Sequence, residues 1–122
     1  MTTIDAIAAD DVVDVLRSHH FGYADERQLQ DGLFTVLRQY FPSTRREVSL
    51  GPRDRVDFLV GGVAVEVKVS GSPVAVARQL QRYAHSEQVT ATCLVTAKTS
   101  HTRLPDEIGG KPLVVVLLAG RL

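Results

Sequence analysis

Apolar residues recur at three- and four-residue spacing in the first third of the chain, which predicts two amphipathic helices. The first is predicted over residues 4–17, with four aspartates off the apolar stripe and Gly22 as a stop signal beyond it. The second begins after Asp25, a favourable N-cap residue with Gln28 three positions later, and Pro42 ends it.

Beyond the second helix the apolar period changes to two, which is typical of strands. Strands are predicted over 47–50, 55–60 and 63–70. The last two are separated only by Gly61-Gly62, which predicts a tight hairpin because primed turns need positive φ. Strict alternation would place Val56, Phe58 and Val60 together on one face of their strand.

The second half of the chain alternates a helix with apolar strands. Ser72-Pro73 has the residue types of an N-cap and first helical position, so a third helix is predicted up to about Glu87. Residues 91–97 form a predicted buried strand. Residues 99–112 are predicted as a loop region, and 113–118 as a final strand covered on both faces.

This order of elements predicts an α/β fold in which helices flank a mixed β-sheet. The 122 residues suit a single domain, with 1–22 as an N-terminal helical extension and 25–97 as the core. A hydrophobic content of 44% with 14 basic and 14 acidic residues argues against a disordered chain and excludes a polybasic protein that coats nucleic acid by bulk charge. Any contact with phosphates must therefore come from a local cluster.

Cysteine usage and hydropathy indicate the compartment. Cys93 is the single cysteine, which excludes an internal disulfide and a cysteine-based zinc site and suits a reducing cytoplasm. No apolar run is long enough to span a bilayer, and the N-terminus lacks the pattern of a secretory signal. We therefore expect a cytoplasmic protein without membrane contact.

The predicted hairpin brings charged side chains together on one face. A two-residue turn pairs Val60 with Val63, which places Asp57 opposite Glu66. Arg55 would then lie near Lys68. Paired residues have Cβ atoms roughly 5 Å apart, so two carboxylates there repel each other unless a cation lies between them.

A divalent cation would resolve this repulsion, and Lys68 lies on the same strand face as Glu66. Mg²⁺ prefers oxygen ligands and takes one or two protein carboxylates. With an ammonium group beside it, the pair suits phosphodiester hydrolysis by water. The competing interpretation is a solvated sheet face, since alternation is common in half-buried sheets and a slip of one residue would destroy the pairing.

Asp57, followed nine positions later by Glu66-Val67-Lys68, resembles the motif of the PD-(D/E)xK nuclease superfamily. The predicted element order from residue 25 onward is similar to its αβββαβ core. The resemblance implies a restriction-endonuclease-like fold with an extra N-terminal helix. It also implies a Mg²⁺ site, with Mn²⁺ as a substitute, held by Asp57, Glu66 and the Val67 carbonyl, and a catalytic Lys68.

Two further features extend the resemblance. Gln79 and Tyr83 match the Q-x-x-x-Y pattern that follows the lysine in the RecB-like branch, which implies a catalytic role for Gln79. Glu26 continues the apolar stripe of the second helix, so it points inward, and the superfamily often carries an acidic residue there that supports the metal. A first-turn glutamate favoured by the helix dipole is the alternative. The family's proline before the aspartate is replaced by Val56, and Asp54 is a competing ligand candidate outside the paired register.

The resemblance implies a Mg-dependent endodeoxyribonuclease without an organic cofactor. Small superfamily members are often homodimers that cut duplex or branched DNA, including Holliday junctions. Nucleic-acid contacts are expected from residues near the motif: Arg53, Arg55, Arg78, Arg82 and Tyr83. The alternatives are a catalytically inactive relative that binds nucleic acid or protein, which the neutral net charge favours, and an α/β domain with a solvated hairpin.

Overall fold

A six-stranded mixed sheet forms the centre of the fold in the computed structural model, which describes residues 7–118. Helices α1 (Ala9–Arg17) and α2 (Glu26–Tyr40) pack on one face of the sheet, and α3 (Pro73–Ala84) packs on the other. The strands are β1 (Arg45–Gly51), β2 (Asp54–Val60), β3 (Val63–Lys68), β4 (Ala91–Thr96), β5 (Glu107–Ile108) and β6 (Lys111–Leu117). The predicted α/β class, with helices flanking a mixed sheet, is confirmed.

The strand order is β1-β2-β3-β4-β6-β5. The first three strands form an antiparallel meander, whereas β3, β4 and β6 run parallel and β5 returns antiparallel to β6. Helix α3 connects β3 to β4, as parallel neighbours require a crossover. The C-terminal ends of β3, β4 and β6 therefore meet at one edge of the sheet.

Two apolar clusters, one on each face, hold the layers together. Leu29, Leu33 and Leu37 of α2 are fully buried against Phe58 and Val65. On the opposite face a second cluster joins α3 to the sheet, with the members Val56, Leu59, Ala64, Val76, Leu80, Tyr83 and Leu94. The central strands β3 and β4 are consequently buried on both faces, and Cys93 is a fully buried residue of β4 as predicted.

The start of α2 follows its sequence signals. The Asp25 side chain accepts a hydrogen bond from the Gln28 backbone N–H at 2.8 Å. The Gln28 side chain in turn accepts from the backbone N–H of Ala24 at 2.7 Å. These contacts satisfy backbone donors at the helix start. They fix the first residue of α2, which is Glu26.

Helices α1 and α3 are shorter than predicted. Helix α1 begins at Ala9 because Ala8 is extended, and the predicted start at Ile4 lies outside the described residues. Its first turn carries Asp10 and Asp11, which favour a helix start there. Helix α3 ends at Ala84, where hydrogen bonds from the N–H of residue i to the carbonyl of residue i−3 tighten the last turn. The predicted helix to about residue 87 was therefore too long.

The hairpin register is confirmed near its turn. Val60 pairs with Val63 and Phe58 with Val65, and Gly61 has the positive φ of 57° that a primed turn needs. The predicted single face for Val56, Phe58 and Val60 is wrong, because Val56 packs with the α3 cluster. On the neighbouring strand Glu47, between the pairs Arg46–Phe58 and Val48–Val56, has a left-handed φ of 54°, so the backbone of β1 is irregular opposite Asp57.

The C-terminal region contains more structure than predicted. The predicted loop holds a 3₁₀ helix over Thr99–Arg103 and the short strand β5, and β6 begins two residues earlier than expected. β6 is only partly covered, with Leu117 42% exposed, because its outer neighbour β5 has two residues. Among residues 7–118, no helix has the length and apolarity to cross a membrane.

Candidate active site

Asp57 and Glu66 meet where the ladder between β2 and β3 ends. The last backbone pair is Phe58 with Val65. Beyond it the Asp57 backbone N–H donates to Glu66 Oε1 at 3.1 Å, and the Val67 backbone N–H donates to Asp57 Oδ2 at 2.8 Å. Each carboxyl group is thus bonded to the backbone of the other strand, in place of a regular ladder at this point.

Both carboxyl groups have raised pKa values. Burial is the main cause for Glu66, whose side chain is 4% exposed, and the charge of Asp57 adds to it, so that the pKa of Glu66 rises to about 8. Burial also raises the pKa of Asp57, with a further contribution from the charge of Glu26. The hydrogen bond from the Val67 backbone N–H and the charge of Lys68 lower the pKa of Asp57 but do not cancel this rise. The positive charge around the pair is therefore not enough to offset burial and the mutual repulsion of two carboxylates.

Lys68 is the cation beside this pair. Its Nζ lies 3.5 Å from Glu66 Oε2, and its side chain is 24% exposed. The alternation predicted for β3 is thereby confirmed, since Glu66 and Lys68 share one side of the strand. The predicted neighbourhood of Arg55 and Lys68 is not part of the ladder, which ends at Phe58 and Val65, and the guanidinium of Arg55 lies 3.4 Å from a carboxylate oxygen of Glu47 on the neighbouring strand.

Two residues one turn apart on α2 reach the site. Glu26 points inward as predicted, and its Oε1 accepts a hydrogen bond from the Val69 backbone N–H at 3.2 Å. Because this N–H bonds to a carboxylate, β3 ends at Lys68 rather than at residue 70. Gln30, which the sequence did not single out, donates from Nε2 to Asp57 Oδ1 at 3.2 Å. Its position four residues after Glu26 is the signal that could have identified it.

Tyr83 and Gln79 of α3 support the site from the opposite face. The Tyr83 hydroxyl lies 3.3 Å from Glu66 Oε2 and 2.9 Å from the backbone oxygen of Arg55, and Gln79 Nε2 donates to it at 2.7 Å. Burial, with the charge of Glu66 as a further cause, raises the pKa of Tyr83. Tyr83 was expected to contact nucleic acid, but it is 1% exposed and instead positions Glu66.

The predicted arginine contacts lie around the site rather than in it. Arg53, Arg55 and Arg78 are exposed, and Arg82 Nε is 2.8 Å from Asp54 Oδ1. Asp54, the competing ligand candidate, is therefore paired with Arg82 on α3 and faces that helix instead of the Asp57–Glu66 pair. Of the three exposed arginines, Arg55 pairs with Glu47, whereas no ion pair is found for Arg53 and Arg78 within residues 7–118.

The donor set fits a hard divalent cation. Within residues 7–118 no group of three or more acidic, histidine or cysteine side chains converges as a metal site. The candidate set is therefore the carboxylates of Asp57 and Glu66 with the Val67 carbonyl that the resemblance assigns. One or two carboxylates are what Mg²⁺ usually takes from a protein. The two raised pKa values indicate a place where a cation would be electrostatically favourable.

Comparison with known proteins yields no relative. No family model matches this chain, and no curated protein or solved structure shows significant similarity to it. The resemblance to PD-(D/E)xK nucleases therefore rests on motif spacing and element order, and function has to be inferred from the chemistry of the site.

Proposed function

We propose that this protein is a Mg²⁺-dependent nuclease of the PD-(D/E)xK type that hydrolyses phosphodiester bonds of DNA. One observation carries the proposal: the buried carboxyl groups of Asp57 and Glu66 are cross-bonded between neighbouring strands, with the Lys68 ammonium 3.5 Å from Glu66. An isolated ion pair on a solvated sheet face would need neither the burial nor the like-charge contact.

Asp57, Glu66 and the Val67 carbonyl would hold the cation, with Mn²⁺ as a substitute for Mg²⁺. When bound, the cation supplies a Lewis acid that lowers the pKa of water and neutralises charge on the phosphate. Both carboxylates must be ionised to bind it, so binding competes with the proton that the raised pKa of Glu66 retains near neutral pH.

The other residues position and balance this pair. The Lys68 ammonium orients the attacking water or stabilises the charge that develops on the phosphate oxygens. Tyr83 and Gln79 hold Glu66 from the α3 side, and Gln30 holds Asp57 from the α2 side. Glu26 fixes the β3 end through the Val69 N–H. The attacking water would lose a proton to solvent as its oxygen bonds to phosphorus, and the bond from phosphorus to the leaving oxygen would break, with that oxygen taking a proton from solvent.

The surroundings support a polyanionic substrate. Arg53, Arg55 and Arg78 are exposed near the strands and helix that carry the site, where they can contact phosphates flanking the scissile bond. By analogy with small members of the superfamily, we propose a homodimer that acts on duplex or branched DNA, including four-way junctions. The single buried Cys93 agrees with a cytoplasmic location.

The test is a cleavage assay with supercoiled plasmid, single-stranded DNA and a four-way junction, in Mg²⁺, Mn²⁺ or EDTA. Cleavage should require the metal and should fall by at least about 100-fold in Asp57→Asn and Lys68→Ala. Glu107→Gln, which alters an exposed carboxylate on β5, is the matched control and should cleave normally. Circular dichroism verifies that each variant is folded.

The alternatives have distinct outcomes. Binding of DNA without cleavage under all metal conditions would overturn the nuclease proposal and support a catalytically inactive binding module. Absence of both binding and cleavage would leave an α/β domain with a charged hairpin.

A further inference from the structure

We infer that a recess beside the proposed metal site binds one unpaired nucleobase next to the scissile phosphate; this inference rests on the proposed function and names its substrate class. The recess has a volume of about 330 Å³ and is lined by Tyr23, Ala24, Asp25, Val69 and Ala97. These residues come from the segment before α2 and from the chain just beyond the C-terminal ends of β3 and β4.

The recess adjoins the candidate donor set. Val69 follows Val67 by two residues, and its N–H is held by Glu26. On the neighbouring strand, the Ala97 backbone N–H donates to the Lys68 carbonyl at 3.1 Å. A nucleotide whose phosphate lies at Asp57 and Glu66 would therefore have the recess within reach of its own base or of the adjacent one.

The lining fits a flat heteroaromatic group better than a phosphate. Ala24, Val69 and Ala97 contribute small or aliphatic side chains and Tyr23 packs against the α2-side core, while most of the exposed lining surface is polar, which suits the hydrogen-bonding edges of a base. The single charged lining residue, Asp25, is acidic and accepts from the Gln28 N–H. It would repel a phosphate, whereas a neutral base can stack on an aromatic ring.

A base enters such a recess only when it is unpaired. In a regular duplex the bases are stacked inside the helix and are reached only by flipping, which costs the free energy of unpairing and unstacking. Single strands, flaps and branch points offer unpaired bases without that cost. We therefore infer a preference for DNA with unpaired nucleotides at the cleavage position.

The chain contains no tryptophan, so Tyr23→Trp introduces a single fluorophore into the recess. The titration uses a dye-labelled single-stranded oligonucleotide and Mg²⁺, with Lys68→Met added to prevent cleavage. We expect tryptophan quenching that follows the anisotropy binding curve. A series of oligonucleotides then carries one abasic site each, at successive positions. Quenching should disappear for the one oligonucleotide whose abasic site falls at the recess. Tyr40→Trp is the matched control, since Tyr40 is 49% exposed and does not line the recess.

A second variant guards against a change in folding. Tyr23→Leu retains an apolar side chain and should weaken single-strand binding about tenfold, as loss of one stacked base does. The abasic site that abolishes quenching should weaken binding to Tyr23→Leu no further, because the stacking contact is already lost. Saturable binding with unchanged Tyr23→Trp fluorescence, equal quenching by duplex, or no single-strand binding would overturn the inference.

Failure of the inference and failure of the proposed function differ in their results. Metal-dependent cleavage that is lost in Asp57→Asn, with no quenching at position 23, leaves the nuclease and removes the base recess. Quenching without any cleavage removes the nuclease and leaves a base-binding surface.

Discussion

The two ends of the β2–β3 hairpin differ in what joins the strands. At the turn, Val60 and Val63 pair in a regular ladder and both are fully buried. At the other end, Asp57 and Glu66 bond through their side chains to the opposite backbone, and both have raised pKa values. Only three residues lie between Asp57 and Gly61, yet the interactions that join the strands differ completely.

This difference separates stability from the proposed function along one hairpin. Burial of valines at the turn end contributes favourable free energy. The carboxyl pair instead contributes unfavourable free energy, since burying two like charges destabilises the fold unless a cation or a proton offsets them. Changes at the turn end should therefore alter stability alone, whereas changes at the carboxyl end should alter its dependence on pH and metal.

The largest expected effect is on the pH dependence of unfolding without metal. Because the folded pKa of Glu66, about 8, exceeds its ordinary value of 4.5, the folded state retains a proton that the unfolded state has lost. The resulting stability is complete below about pH 4.5 and is lost as the pH rises through about 8. The loss should be on the order of a few kcal/mol, since each pKa unit corresponds to about 1.4 kcal/mol. Urea unfolding in EDTA across this range measures it.

Two controls sharpen this prediction. Glu66→Gln should flatten the profile, and saturating Mg²⁺ should stabilise the wild type most at high pH, where both carboxylates are ionised. The raised pKa of Asp57 acts in the same direction as that of Glu66. A wild-type profile that rises from pH 5 to pH 8 in EDTA would contradict the pairing.

Tyr83→Phe should lower cleavage by about 10- to 100-fold, the usual cost of losing a group that orients a metal ligand. The substitution removes the hydroxyl that lies 3.3 Å from Glu66 Oε2 and leaves the buried ring in place. Steady-state cleavage against Mg²⁺ concentration is the measurement. Tyr40→Phe is the control, and equal activity in the two variants would show that Tyr83 has no positioning role.

Gly61→Ala should destabilise the fold by about 1 kcal/mol, because an L side chain is strained at φ 57°. The loss should be the same at every pH and with or without Mg²⁺, since the turn lies away from the carboxyl pair. Denaturant unfolding measures it. Gly22→Ala, where an added Cβ meets nothing within 4 Å, is the control. A Mg²⁺-dependent loss in Gly61→Ala would contradict the separation of the two ends.

Gln30→Ala should have the smallest effect, a few-fold loss of cleavage with a higher Mg²⁺ requirement, because one neutral hydrogen bond to Asp57 contributes about 1 kcal/mol. A titration of activity against Mg²⁺ separates metal binding from turnover. Gln39→Ala changes an exposed glutamine of the same helix and should leave both unchanged.

Local patterns determined most of what the sequence could reveal. The Gly61-Gly62 turn set the hairpin register, and Asp25 set the start of α2, because both depend on neighbouring backbone. The four-residue spacing of Gln79 and Tyr83 likewise predicted that they share a helix face, as their 2.7 Å contact bears out. Val56 packs with the α3 cluster and Phe58 with the α2-side cluster, a departure from strict alternation around Asp57 that the pattern within β2 could not reveal.

Tertiary packing decided which side chains surround the carboxyl pair. Gln30 reaches Asp57 across 27 residues of sequence, and Tyr83 reaches Glu66 across 17. Arg82 bonds to Asp54 across 28 residues, and the recess at Tyr23 and Ala97 joins segments still further apart. The sequence by itself determined that two carboxylates and a lysine lie on one hairpin. The burial of the two carboxyl groups, and hence their raised pKa values, arises only when α2 and α3 close over the two faces of the sheet and remove these groups from water.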